Sequence, residues 1–501
     1  MKLNRIVLFG TVIFLAGIII QLIHPENGIR LTENFGLYFP TAKEVFIQTD
    51  RSEQERLQAI LKEEILSDSI SNSVKFKQDS IRSIQIRDSI RSAQLSIHYP
   101  NNDKSILYNF FSTMEKVNSN KKPIHIVHYG DSQIEGDRIT AYIRQKLQEQ
   151  FGGRGPGWLP VKPLAYPRSV ILNHSDNWKS YYFYNQGDSL VDHRLYGHLG
   201  IFSRFTDYPD STTQDSTTHY AWVSYKSSSR SYSGTRSFRD VRIFYGKNNQ
   251  PVTLELVHKD SVVYTKILKP RTNPGLVRYT FPKYINEVTI RFSGNESPDV
   301  YGVSLDDTQG IMVDNIGMRG DSGASFISLE QESYSLAFRE FNIPLFILQF
   351  GGNAVPYAKS EERIKGYARN FKRNIQYLKQ LKPNAAILVI GPSDMSVLNG
   401  TNWETYPHLP QVRDALKTAA HEAGAAYWDL YEAMGGKGSM KEWVNANPPL
   451  AIKDYAHFTD KGALKVSQWF MDALLKDYQQ FKQQKTKSNT PTKKKENELS
   501  K

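Results

Sequence analysis

The chain has 501 residues, 39% of them hydrophobic, and a formal net charge of +12. That length suffices for two or three domains with cores of their own, and the absence of cysteine excludes disulfides, thiol catalysis and cysteine-ligated metals. Chemistry is left to oxygen and nitrogen side chains.

Ile6 to Ile23 is an uncharged apolar run preceded by Lys2 and Arg5. At about 1.5 Å per residue it just crosses a bilayer core, so residues 1–24 are read as a transmembrane anchor. The flanking positive charges send everything after Pro25 outside the cytoplasm. A cleaved signal peptide is the competing reading, but no small-x-small site follows the run. Residues 25–100 are then a stalk or linker: isolated isoleucines among charges build no core, and "DSIR" occurs at Asp79 and again at Asp88.

From residue 101 to 159 the pattern is α/β. "IHIVHY" (Ile124 to Tyr129) is a short strand, and Ile139, Tyr142, Ile143 and Leu147 stand at helical spacing before Gly152-Gly153. Residues 160–300 change texture to short aromatic and β-branched runs such as "DVRIFYG", "PVTLELVH" and "EVTIRFSG". Short runs between turn residues predict an antiparallel β-sandwich of the jelly-roll kind, inserted into the α/β unit. Residues 301–483 return to α/β: "IPLFILQFGGN" (Ile343 to Asn353) is a buried parallel strand, "AAILVIGPSD" repeats strand-to-loop, and a helix closes the unit from about Thr459. Residues 484–501 read as a disordered basic tail, with six Lys and two Glu from Lys485 onward. The positive charge favours an anionic envelope polymer over nucleic acid as neighbour, and equally serves solubility.

Gly-Asp-Ser occurs three times, ending at Ser132, Ser189 and Ser322. A nucleophilic serine needs a base, a group that orients the base, and donors for the oxyanion. In α/β sheets these lie beyond the carboxyl ends of strands. Ser132 has a strand before it and a predicted helix after it, which sets its N–H near a helix's positive end. Ser189 falls in the β-rich insert, where Gly-Asp-Ser is ordinary turn composition. Ser322 is read as a helix cap.

Gly-Asp-Ser at the first strand's exit, "NIGMRGDSGAS" after the insert, "GGN" after a buried strand and "DYAHFT" before the last helix follow one another in the order of the SGNH hydrolases, or GDSL-type esterases, and the chain resembles that family. The resemblance implies a flavodoxin-like α/β fold. It gives Ser132 as nucleophile, His457 as base and Asp454 as its orienting acid. Oxyanion donors are then the N–H groups of Ser132 and Gly320 and the Asn353 amide. Two departures stand beside the site: Gln133 where Leu is commoner, and Ala354 where many members carry Asp.

Gly320 lies 188 positions after Ser132, where a strand-helix-strand unit needs only about 30. Members with a carbohydrate-binding-like domain at this point include peptidoglycan O-acetylesterases, which the chain resembles. The implied activity is removal of O-acetyl groups from an envelope polysaccharide, possibly peptidoglycan, by a membrane-anchored enzyme of the bacterial periplasm. The alternative is an O-acetyltransferase using the same acyl-enzyme, and a catalytically silent glycan-binding protein is a third class. No metal or organic cofactor is implied, and "GRGPGW" near Gly153 lacks the Lys and Ser/Thr of a phosphate loop. His125 and His128 read as packed or hydrogen-bonded strand histidines rather than metal ligands, "GPSD" (Gly391 to Asp394), at the catalytic edge, as an ordinary loop ahead of a lining of the substrate pocket, and Tyr181, Tyr182 and Tyr184 as sandwich core ahead of sugar-stacking residues.

Overall fold

Five short strands buried on both faces organise the α/β part of the computed structural model, which describes residues 29–32, 35–37, 95–120, 122–183, 191–208 and 217–489. The expected anchor, most of the expected stalk, Tyr184 and Ser189 lie outside the described residues. Among the described residues no helix is long and apolar enough to cross a membrane. The chain divides into two units, Met1–Asp88 and Ser89–Lys501. In the first, Ile29–Thr32 and Phe35–Leu37 pair antiparallel.

In the second unit the parallel strands are β1 (Ile124–Gly130), β2 (Ile311–Gly317), β3 (Asn342–Gln349), β4 (Ala386–Ile390) and β5 (Ala426–Trp428). They lie side by side in the order 2-1-3-4-5, all pairs parallel. Successive side chains of a strand point to opposite faces. Ile124 and Ile126 of β1, with Leu345 and Ile347 of β3, therefore enter one core, and Val127, Tyr129, Phe346 and Leu348 enter the other. The first face packs α1 (Tyr108–Asn120), α2 (Thr140–Phe151) and the last helix, Asp460–Asn489, through Phe110, Leu147 and Phe470. The second packs Glu332–Glu340, Glu361–Leu381 and Leu409–Glu422 through Phe338, Phe371 and Leu416. This is a three-layer α/β arrangement of the doubly wound type.

Between α2 and β2 the chain forms two antiparallel sheets. The five-stranded one runs Ser261–Leu268, Val252–His258, Glu287–Gly294, His219–Ser227, Val170–His174. The six-stranded one runs Gly275–Ile285, Phe238–Gly246, Asp299–Asp306, Ile201–Arg204, Lys179–Tyr182, with Gly157–Leu159 also paired to Asp299–Asp306. Their facing residues, among them Val223, Leu254, Ile290, Ile243, Val277 and Leu305, share one apolar core. The paired strands begin at Gly157 and end at Asp306, outside the expected limits of 160 and 300, because flanking residues hydrogen-bond to the sheet rather than leave it. The outer side of the six-stranded sheet continues into the α/β core: Trp158 and Phe244 lie 5.1 and 5.8 Å from Phe341, ring to ring. Tyr181 is buried and stacks on Phe202 at 4.8 Å, whereas Tyr182 is half-buried.

Four expectations are corrected. The stalk does not reach residue 100, since Ile97 and Tyr99 are core residues and His98 bridges to Tyr427 beside β5. No helix starts directly after Ser132: Gly136 and Asp137 take positive φ of 64° and 67°, and α2 begins only at Thr140. The serine N–H thus has no helix N-terminus behind it. Ser322 caps no helix; its carbonyl accepts the Tyr367 hydroxyl at 2.6 Å. The last helix runs to Asn489, past the expected tail boundary, because Phe481 packs on Tyr108 and Phe111 and Lys485 pairs with Glu115 at 2.6 Å.

Candidate active site

In the 2-1-3-4-5 order the winding reverses between β1 and β3, and ligands of such sheets bind beyond the strand ends at that point. Ser132 stands two residues past the end of β1, and Asn353 lies in the 3-10 turn Gly352–Tyr357 that follows β3. Gly351 turns the chain between them with φ of 122°, and a β-carbon there would meet Leu416 at 2.8 Å, so only glycine fits. His457 comes from the loop before the last helix.

Across 325 positions, Ser132 Oγ lies 2.7 Å from His457 Nε2. On the other side of the ring, Nδ1 lies 2.6 Å from Asp454 Oδ2. A carboxylate only accepts, so Nδ1 carries the proton and Nε2 is left to accept from the serine hydroxyl. The second Asp454 oxygen takes the backbone N–H groups of Ala456 and His457, each at 3.0 Å. Burial works to raise the Asp454 carboxyl, but the His457 N–H, its ring and the Ala456 N–H outweigh it and hold the group below its ordinary value.

The Asn353 amide donates to the Asp321 carbonyl at 3.0 Å. That bond fixes the amide plane and uses one of two hydrogens, leaving the other to be offered elsewhere. Gly320 holds φ of 81° in open space, so its glycine answers to backbone conformation, not crowding. Its turn is held by Asp321 N–H on the Met318 carbonyl at 3.0 Å, and Met318 N–H donates to the Gly130 carbonyl at 2.7 Å. Among the described residues neither the Ser132 nor the Gly320 N–H has a hydrogen-bond partner.

Ser132, His457 and Asn353 line a cleft of about 450 Å³ with Pro392, Ser393 and Met395. The "GPSD" segment is thus more than an ordinary loop: its first three residues wall the cleft, and Asp394 turns inward to Thr405 and the Met440 N–H, each at 2.8 Å. Gly320 is exposed and stands outside that lining. The two strand histidines are buried and hydrogen-bonded, His125 to Asp314 at 2.8 Å and His128 to Gln349 at 3.2 Å.

Two polar residues at the cleft escaped the sequence reading. Asp131 is buried, and burial pushes its carboxyl up to about 6 against the opposing pull of the Gln133 N–H and the His457 charge. Gln133, noted only as a departure from Leu, sends its amide to the Ala456 carbonyl at 2.5 Å. A polar residue where an apolar one is common was the available signal.

A serine hydroxyl, an imidazole and a carboxylate hydrogen-bonded in series beside amide donors have the geometry that acyl transfer requires. Residues 286–464 match the model of the GDSL-like Lipase/Acylhydrolase family. The match begins within the antiparallel strands and takes in Gly320, Asn353, Asp454 and His457, but not Ser132. Over those residues the chain carries the pattern of the GDSL-like, or SGNH, ester hydrolases, and it is similar to that family. Among solved structures it is similar to a peptidoglycan O-acetylesterase, with TM-score 0.58 and 21% identity over 73% of this chain and 96% of the other. It is also similar to an acetyl xylan esterase (17% identity, 33% and 81% covered, TM-score 0.26) and to a family two carbohydrate esterase from Clostridium thermocellum (7% identity, 54% and 97% covered, TM-score 0.23). No curated protein sequence matches the chain.

Proposed function

We propose that the protein removes O-acetyl groups from an envelope polysaccharide, with peptidoglycan as the first candidate. The observation that carries the reading is the unbroken chain of hydrogen bonds Ser132–His457–Asp454 at 2.7 and 2.6 Å beside the Asn353 amide. His457 Nε2 takes the hydroxyl proton as Ser132 Oγ attacks the acetyl carbonyl. The tetrahedral oxyanion is met by the N–H groups of Ser132 and Gly320 and the spare Asn353 hydrogen. Collapse expels the sugar oxygen, which recovers the proton from His457. Water, deprotonated by the same nitrogen, then attacks the acetyl-serine and acetate leaves.

The glycan part of the proposal draws support from the two antiparallel sheets, read here as an inserted jelly-roll module that holds the polymer. A second cleft of about 650 Å³ is lined by Glu135 and Gly317 of the α/β part and by Leu164, Tyr182 and Leu199 of the insert. Glu135 follows Ser132 by three residues, so the turn after β1 contributes to both clefts. The 0.58 likeness to a peptidoglycan O-acetylesterase favours this class of polymer. We place the enzyme outside the cytoplasm, anchored by the apolar run Ile6 to Ile23.

The test is acetate release from O-acetylated peptidoglycan by the full chain and by Ser132→Ala. Release by the first alone supports the reading. Hydrolysis of a small acetyl ester without release from the polymer would reject the substrate, and acetyl transfer to unacetylated glycan would make the enzyme a transferase.

A further inference from the structure

We infer that Gln133 and Arg138 form a clamp, reaching from the nucleophile turn to the backbone carbonyls of Ala456 and Phe458, the residues on either side of His457, and that it holds the base in register with Ser132. The inference rests on Ser132 as nucleophile and His457 as base. The Gln133 amide donates to the Ala456 carbonyl at 2.5 Å, one residue before His457, and reaches Ser393 Oγ at 3.3 Å. The Arg138 guanidinium donates to the Phe458 carbonyl at 3.4 Å, one residue after His457. Its remaining N–H groups go to the Glu135 carbonyl at 3.1 Å and to the carbonyl of Ser132 itself.

The histidine loop has few other ties to this turn. Its backbone hydrogen bonds run within the loop (Ile452 N–H to His457 O, Thr459 N–H to Leu450 O), to Trp443, and from Ser396 to Tyr455. Among the described residues none of these backbone bonds reaches the stretch that carries Ser132. Ser132 and His457 come from opposite ends of the α/β unit, so their 2.7 Å approach needs a local device. Only donors can serve, because both anchor points are carbonyl oxygens. Leu in place of Gln133 would fill the space without making the bond. Gln133 and Arg138 touch no reacting atom in this scheme and act as positioning residues.

The test uses the full chain, p-nitrophenyl acetate as substrate and a fluorophosphonate as a direct probe of Ser132. Gln133→Leu removes the donor, and Gln133→Glu keeps the shape while turning an acceptor toward a carbonyl. Arg138→Gln shortens the second arm. Misplacing reacting groups by about 1 Å costs on the order of 10²-fold. The expected result is therefore a 10- to 100-fold fall in kcat and in the phosphonylation rate for both Gln133 variants. KM stays within about twofold and the melting temperature is nearly unchanged. Because both arms serve one histidine, Gln133→Leu/Arg138→Gln should lose little more than the worse single variant. If Arg138→Gln does not fold, the Gln133 variants decide alone. Rates within threefold of the parent, or a loss confined to KM, would overturn the clamp while leaving the Ser132 assignment standing. A parent enzyme that neither hydrolyses the ester nor reacts with the probe would remove that assignment and the clamp with it.

Discussion

Asp454 presents both carboxylate oxygens to its own loop, one to His457 Nδ1 at 2.6 Å and the other to the Ala456 and His457 backbone N–H groups at 3.0 Å. A spacing of three residues lets one side chain set both the backbone of the base and the tautomer of its ring. Asp454→Asn retains the size but loses the charge that, in the proposed mechanism, stabilises the imidazolium formed as Ser132 attacks. We expect kcat on a small acetyl ester to fall by about 10²–10⁴-fold with folding retained. A fall of less than about threefold would show that Asp454 does not orient the base.

The same contacts carry a pH signature. The Asp454 carboxyl sits below its ordinary value in the folded chain, so its contribution to stability is present above the unfolded value and is lost as pH falls through the folded one. Replacing it by Asn should narrow the difference between melting temperatures at neutral pH and near pH 3. An unchanged difference would contradict this.

For the serines, Ser132→Ala is expected to abolish hydrolysis of a small acetyl ester, whereas Ser322→Ala retains most of it, since among the described residues it is the Ser322 backbone carbonyl that is engaged, by Tyr367. Ser189→Ala is expected to behave like Ser322→Ala. A dead Ser189 variant would reassign the nucleophile.

Asn353→Ala removes a proposed oxyanion donor and also the bond to the Asp321 carbonyl. The expected loss in kcat is about 10²–10³-fold, or about 2.7–4 kcal/mol. Measured kcat within threefold of the parent would exclude the amide from the oxyanion site.

Asp131 titrates in the opposite sense to Asp454. Its folded value of about 6 lies above the ordinary 3.8, so the folded state binds the extra proton and stability falls as pH rises between those values. Asp131→Asn removes that loss and keeps an acceptor for the Gln133 N–H. Its stability gain over the parent should be near zero at pH 4, grow to on the order of 3 kcal/mol and level off above pH 7. A gain independent of pH would show that the carboxyl is not held up by burial.

Replacing the antiparallel sheets by a linker is a poor test of their role. Trp158 and Phe244 pack on Phe341 within the core that also holds Phe346 of β3, so removing the sheets would strip one face of the α/β unit.

Much was legible in the primary structure. Hydrophobic runs and their periods mark β1, β3 and β4 and most antiparallel strands, because burial of alternate or successive side chains is a local property of a strand. Ser132, Asp454, His457 and Asn353 could be singled out by motif order because loops at strand ends carry short, chemically specific residue sets. Other features arise from contacts between distant segments and leave no local trace. The α2 start depends on two residues with positive φ, and the packed unit begins near Ile97 because Tyr427 offers a bridging partner. The 2.7 Å approach of Ser132 to His457, the inward turn of Asp394, the burial of Asp131 and the reach of Gln133 and Arg138 to the carbonyls beside His457 belong to the same class. Residue types were set by the chain, but which donor meets which acceptor was decided by the parallel sheet, which brings the exit of β1 against a loop some 320 residues later.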